Sequence, residues 1–114
     1  MAFITADKPA DDITSAIRNG DAKSLAKYFH TNLDVTISDT EGTYSKAQAE
    51  MIVKDFFSKN PPKSYKINHQ GNSTDGSGFI IGTYTTSQTT FKNYILLKKF
   101  ADKIHIIQLR FEKE

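Results

Sequence analysis

The chain has no cysteine, which excludes disulfides, thiolate catalysis and cysteine-ligated metals while leaving the compartment open. It has no apolar run near the roughly 20 residues of a membrane helix, so no integral membrane segment is expected. Carboxylates are scarce in its second half. From Tyr65 to Phe111 only Asp75 and Asp102 occur, both in turn-forming sequence. General acid–base chemistry needs a carboxylate or histidine held in a pocket. Glu50 and Asp55 lie off the apolar stripe of a helix, and Asp34 is the only acid within a strand. No carboxylate is therefore expected inside a pocket.

What is present describes one domain. A length of 114 residues allows one hydrophobic core without staples, and 38% hydrophobic with 25% charged residues is the balance of a soluble globular protein. The net charge of +2 is unevenly spread: residues 1–56 carry −3 and residues 57–114 carry +5. A basic surface attracts anionic ligands, lipid or nucleic acid. Here the lysines are scattered along strands and hairpins, where they keep sheet edges from pairing with other chains. Clustering of the kind nucleic-acid footprints show is missing, so no nucleic acid is expected.

Residues 1–10 read as a flexible lead-in and residues 11–114 as a single domain. Asp11 and Asp12 precede Ile13, Ala16 and Ile17, a short helix stopped by Gly20. Asp21 caps a second, with Ala22, Leu25, Ala26 and Phe29 as its buried stripe. Leu33, Val35 and Ile37 alternate with polar residues, a half-buried strand that turns at 39–42 and returns through Thr43 and Tyr44.

The organising stretch follows. Ser45 and Gln48 form a capping box, and Ala49, Ile52, Val53, Phe56 and Phe57 make one apolar stripe of a long helix that Pro61 and Pro62 end. Four strands come next, near 65–70, 79–86, 90–100 and 104–111, spaced as an antiparallel meander. The order ααββαββββ predicts an α+β fold, a curved antiparallel sheet with three helices on its concave face. Strict alternation sets Ile104 and Ile106 opposite Ile107, Leu109 and Phe111, and Tyr94 and Leu96 opposite Ile95 and Leu97. The last two strands are then apolar on both faces. The face without helices becomes a self-association surface, and Ile104, Ile106, Gln108 and Arg110 are its candidate dimer contacts.

Of the histidines, His30 ends the second helix, where a cation suits the dipole. His69 shares parity with Tyr65 and Ile67, and His105 with Ile107 and Leu109. A lone histidine on an apolar strand face is more often structural than catalytic. Tyr44, Phe57, His69, Tyr84, Tyr94 and His105 are the candidate pocket residues for a small apolar or anionic molecule, which Tyr44, Tyr84 and Tyr94, with Gln108 and Arg110, are set to hydrogen-bond where it is polar. No His/Asp/Glu spacing offers a metal site, no cofactor is implied, and Gly76-Ser77-Gly78 joins two strands and so is not a phosphate loop.

The order of elements resembles the nuclear transport factor 2-like, or cystatin-like, α+β superfamily. Residues 44–50, 55–62, 69–71 and 108–112 resemble an uncharacterised bacterial family of unknown function. The superfamily implies a cup between long helix and sheet, and dimers through the sheets. Its isomerases and dehydratases set Asp or His with Tyr inside the cup. This chain offers Tyr44 near the mouth but no strand carboxylate. Members of the closer family typically begin with an export signal, which implies an exported or periplasmic protein. Met1–Ala6 is too short for such a signal and has no basic n-region. The reading of the whole is a non-catalytic, homodimeric domain that binds a small ligand or a protein partner. The alternative is a lyase or isomerase using a pocket histidine with a tyrosine. A docking module for anionic partners comes third.

Overall fold

In the computed structural model, which describes residues 7–114, the order of elements is ααββαββββ. Helix α1 is Asp7–Asn19 and α2 is Ala22–Ala26. Strands β1 (Phe29–Ile37) and β2 (Thr40–Ser45) lead into α3 (Lys46–Lys59). Strands β3 (Ser64–Asn72), β4 (Gly78–Thr85), β5 (Thr90–Phe100) and β6 (Lys103–Lys113) complete the chain.

Helix α1 starts at Asp7, inside the stretch expected as a lead-in. Pro9 lies in its first turn, where the missing N–H costs no helical bond. The rest of that lead-in lies outside the described residues. Gly20, at φ +65°, lets the chain leave α1, and its bare Cα sits against Pro62, where a Cβ would come within 3.0 Å of the ring. Asp21 caps α2 by accepting from the Ser24 N–H at 3.1 Å. Phe29 and His30 belong to β1, not to the end of α2.

Helix α3 follows its sequence closely. The Gln48 N–H donates to Ser45 Oγ at 3.2 Å and the Ser45 N–H to Gln48 Oε1 at 3.1 Å, the reciprocal capping box. Ala49, Val53, Phe56 and Phe57 are buried against the sheet.

The six strands form one open, curved sheet in the order β2-β1-β6-β5-β4-β3. Every neighbouring pair is antiparallel except β1 with β6, which is parallel, so the sheet is mixed. The helix-facing side carries Leu33, Val35, Ile80, Tyr84, Phe91, Ile95, Leu109 and Phe111, all nearly inaccessible.

Two bulges decide which side chains face the helices. Ile67 pairs with Gly82 and His69 with Ile81, which leaves Asn68 as an extra residue. Leu96 pairs with Gln108 and Leu97 with Ile106, which leaves Ile107 extra. Each inserted residue inverts the parity of what lies beyond it. Ile106, fully buried, therefore shares the core side with Leu109 and Phe111, and Ile104 packs against the same core. Neither is on the helix-free face, which corrects their assignment as dimer contacts; Gln108 and Arg110 are there.

Candidate functional site

The space between α3 and the sheet is occupied by aromatic rings. The Phe56 ring lies 4.8 Å from Phe111, 5.0 Å from Phe91 and 5.5 Å from Tyr84, measured between centroids. Phe57 stacks at 5.9 Å on Tyr84. The Tyr84 hydroxyl donates to the Asn60 carbonyl at 2.6 Å, which ties the C-terminal end of α3 to β4. Burial raises its pKa well above the usual phenol value.

Beside this cluster runs a buried polar chain. The Tyr65 hydroxyl donates to Asn93 Oδ1 at 2.5 Å, and Asn93 Nδ2 donates to the Arg110 carbonyl at 2.9 Å. Asn93 is wholly buried, so both of its side-chain bonds replace water that cannot reach it. Gly82 makes the arrangement possible, because a Cβ there would lie 2.7 Å from the Tyr65 hydroxyl oxygen. Sequence reading missed Asn93 and Tyr65. The available signal was an asparagine on the apolar parity of β5, between Phe91 and Ile95.

The expected pocket residues do not converge. Phe57 and Tyr84 are part of the packed cup, and Tyr44 packs half-buried on the core from the β2 edge. His69 is exposed on the opposite side, its ring 5.5 Å from Phe79, because the bulge at Asn68 turns it there. Tyr94 is on that side too, cross-strand from Ile81 and Arg110. His105 sits at the strand end, 5.5 Å from His30 and 5.8 Å from Phe100, and His30 stacks on Phe100 at 4.3 Å. Among the described residues no three His, Asp or Glu side chains gather as metal ligands, and no helix is long and apolar enough to cross a membrane.

The helix-free face reads in rows of cross-strand neighbours. One row is Gln108, Leu96, Phe79 and Gly71; the next is Arg110, Tyr94, Ile81 and His69; a third is Glu112, Lys92, Thr83 and Lys66. Phe79, Ile81, Tyr94 and Leu96 form a contiguous half-exposed apolar patch at the middle of these rows. Gln108 and Arg110 border it on β6, and Arg110 pairs with Glu112 at 3.1 Å.

The titrating groups give a directional pH dependence. A hydrogen bond from Tyr28, with help from Lys8, lowers the Asp12 pKa; Ser24 does the same for Asp21 and Ser77 for Asp75. Their contribution exists above the ordinary 3.8 and is lost as pH falls through the lower folded values. Burial, then the neighbouring His30, lowers His105 below its ordinary 6.5. The unfolded chain then takes up that proton first, so acidification below 6.5 also costs stability. Melting temperature is expected to fall in two stages, below pH 6.5 and again below 3.8. His105→Gln, followed by a pH series of thermal melts, is expected to remove the first stage. An unchanged first stage would contradict it.

An α+β domain of three helices on a curved six-stranded sheet is the nuclear transport factor 2-like fold. Within it, the chain belongs to the family Domain of unknown function (DUF4783), whose model matches residues 10–112. It is similar to the crystal structure of a DUF4783 family protein from Bacteroides uniformis, with 31% identity and a TM-score of 0.86 over 91% of this chain and 95% of that one. The corresponding protein from Bacteroides ovatus is 28% identical, with a TM-score of 0.85 over 90% and 93%. An NTF2-like protein of unknown function from Cytophaga hutchinsonii shares the fold at 10% identity, with a TM-score of 0.67 over 99% and 93%. No curated protein matches the chain.

Proposed function

We infer that this chain is a non-catalytic protein-interaction domain whose partner is a second copy of itself, joined through the helix-free face of the sheet. The observation that carries this reading is the apolar patch of Phe79, Ile81, Tyr94 and Leu96, which none of the described helices covers. Two further features favour a second copy over another partner. The row from Glu112 to Lys66 is acidic at its β6 end and basic at its β3 end. A two-fold axis along the strands between β4 and β5 stacks patch on patch and brings opposite charges together. A body of 39 × 28 × 21 Å also gives this face room for the roughly 800 Å² per partner of a standard interface.

The packed cup supports the non-catalytic reading. A lyase or isomerase would need His69 or His105 beside a tyrosine in the cup. His69 instead stands on the opposite face, and aromatic rings fill the space where a substrate would sit.

Leu96→Asp tests the interface, because it sets a carboxylate in the middle of an apolar contact while leaving the core untouched. By light scattering the wild type is expected to be a dimer and the variant a monomer with an unchanged circular-dichroism spectrum. A variant that remains dimeric, or a monomeric wild type, would overturn the assignment.

A further inference from the structure

At one end of the sheet, segments far apart in sequence enclose a groove of about 410 Å³. Pro9 comes from α1, Lys27 and Tyr28 from the link between α2 and β1, Lys99 from the end of β5, and Lys103 and Ile104 from the start of β6. Its volume is within the roughly 300–1,000 Å³ of small-molecule sites. The groove is separate from the packed cup and from the apolar patch on the helix-free face.

Its walls are fixed. Tyr28 and Ile104 pack against the core, and the Tyr28 hydroxyl donates to Asp12 Oδ2 at 2.6 Å, which sets the ring's orientation. Gly76, at φ +90°, brings the loop between β3 and β4 so close to Lys99 that a Cβ would lie 2.7 Å from the lysine Cβ. The β5–β6 turn is held by Ala101 and Asp102 at φ 50° and 67°.

The charge is one-sided. Among the described residues three lysines line the groove, and the one acid in its lining is Asp102. Among the described residues none of the three forms a salt bridge. Pro9, Tyr28 and Ile104 add aliphatic and aromatic surface to the same lining. Cations beside apolar surface suit a molecule with a negative head and a hydrocarbon body.

We propose that this groove is a binding site for a small amphiphilic organic anion, its head held by Lys27, Lys99 and Lys103 and its apolar body laid on Pro9, Tyr28 and Ile104. His105 borders the groove, and Lys103 is among the cations that disfavour its protonation. A bound anion would offset that field and raise the histidine's pKa.

The test is a titration of the full chain with octanoate, followed by amide and histidine NMR signals. Octanol and inorganic phosphate serve as tail-only and head-only controls. Octanoate is expected to give saturating shifts at Tyr28 and along 99–104, to raise the His105 pKa, and to bind more weakly as salt increases. Lys27→Ala/Lys99→Ala/Lys103→Ala is expected to weaken it by roughly tenfold or more, with the remaining amide spectrum unchanged. Should that variant not fold, Lys103→Glu alone is expected to weaken octanoate binding. Shifts that never saturate, equal binding of octanol, or phosphate binding as tightly as octanoate would each overturn the proposal. None of these outcomes depends on the oligomeric state.

Discussion

Phe56→Ala is expected to lower stability by about 3–5 kcal/mol, the cost of deleting a buried ring from a packed core. For a domain of this size that corresponds to a melting temperature roughly 12–20 °C lower. Phe56 is 4% exposed and lies against Phe57, Tyr84, Phe91 and Phe111, so its removal strips contacts from four rings at once. The four rings come from α3, β4, β5 and β6, and cannot all close on the gap without shifting the helix against the sheet. The void is therefore expected to persist and to accept a small apolar guest. Benzene should restore part of the lost melting temperature in Phe56→Ala and leave the wild type unaffected. A loss under about 1 kcal/mol would mean that the cup is loosely filled and open to a ligand.

Asn93→Ala is expected to cost about 1.5–4.5 kcal/mol, because it leaves one buried group without a partner, at roughly 1–3 kcal/mol, and removes a further hydrogen bond worth roughly 0.5–1.5 kcal/mol. The orphaned group is the Tyr65 hydroxyl, and the bond removed is the one from Asn93 Nδ2 to the Arg110 carbonyl, which keeps its place opposite Tyr94 in the β5–β6 ladder. Tyr65→Phe alone leaves only Asn93 Oδ1 unmatched and is expected to cost less. Combined, the two substitutions should cost clearly less than their sum, since the double variant no longer contains the orphaned hydroxyl. Urea denaturation of all four forms, at one fixed protein concentration because self-association makes stability depend on it, gives the coupling directly. Additive losses would show that the 2.5 Å bond between Tyr65 and Asn93 contributes nothing of its own.

Helix α3 was legible because its signals are local: Ser45 and Gln48 at one end, Pro61 and Pro62 at the other, and a 3.6-residue stripe between. The strands were legible as strands for the same reason, and their order carried the fold. Facing was less legible. Alternation predicts the face of a side chain only while register is unbroken, and Asn68 and Ile107 carry no local mark of the bulges they form. That is why His69 reads as a pocket residue and Ile106 as a surface one, each on the wrong side of the sheet. Tyr94 and Leu96, on the unbroken part of β5, lie opposite Ile95 and Leu97 as alternation predicts, but alternation does not say which face the helices take, and Tyr94 is on the side away from the pocket expected for it. The parallel pairing of β1 with β6 joins residues about seventy-five positions apart, and no local pattern encodes it. The groove lysines were invisible for a related reason, since Lys27 and Lys103 meet only after the chain has folded.

Sedimentation equilibrium of the wild-type chain across a range of concentrations tests most directly that the working surface is the helix-free face. The expected mass is twice the 12.8 kDa of one chain, falling toward that of one chain on dilution. A mass of one chain at every concentration would contradict it and leave the patch of Phe79, Ile81, Tyr94 and Leu96 without a second copy to cover it.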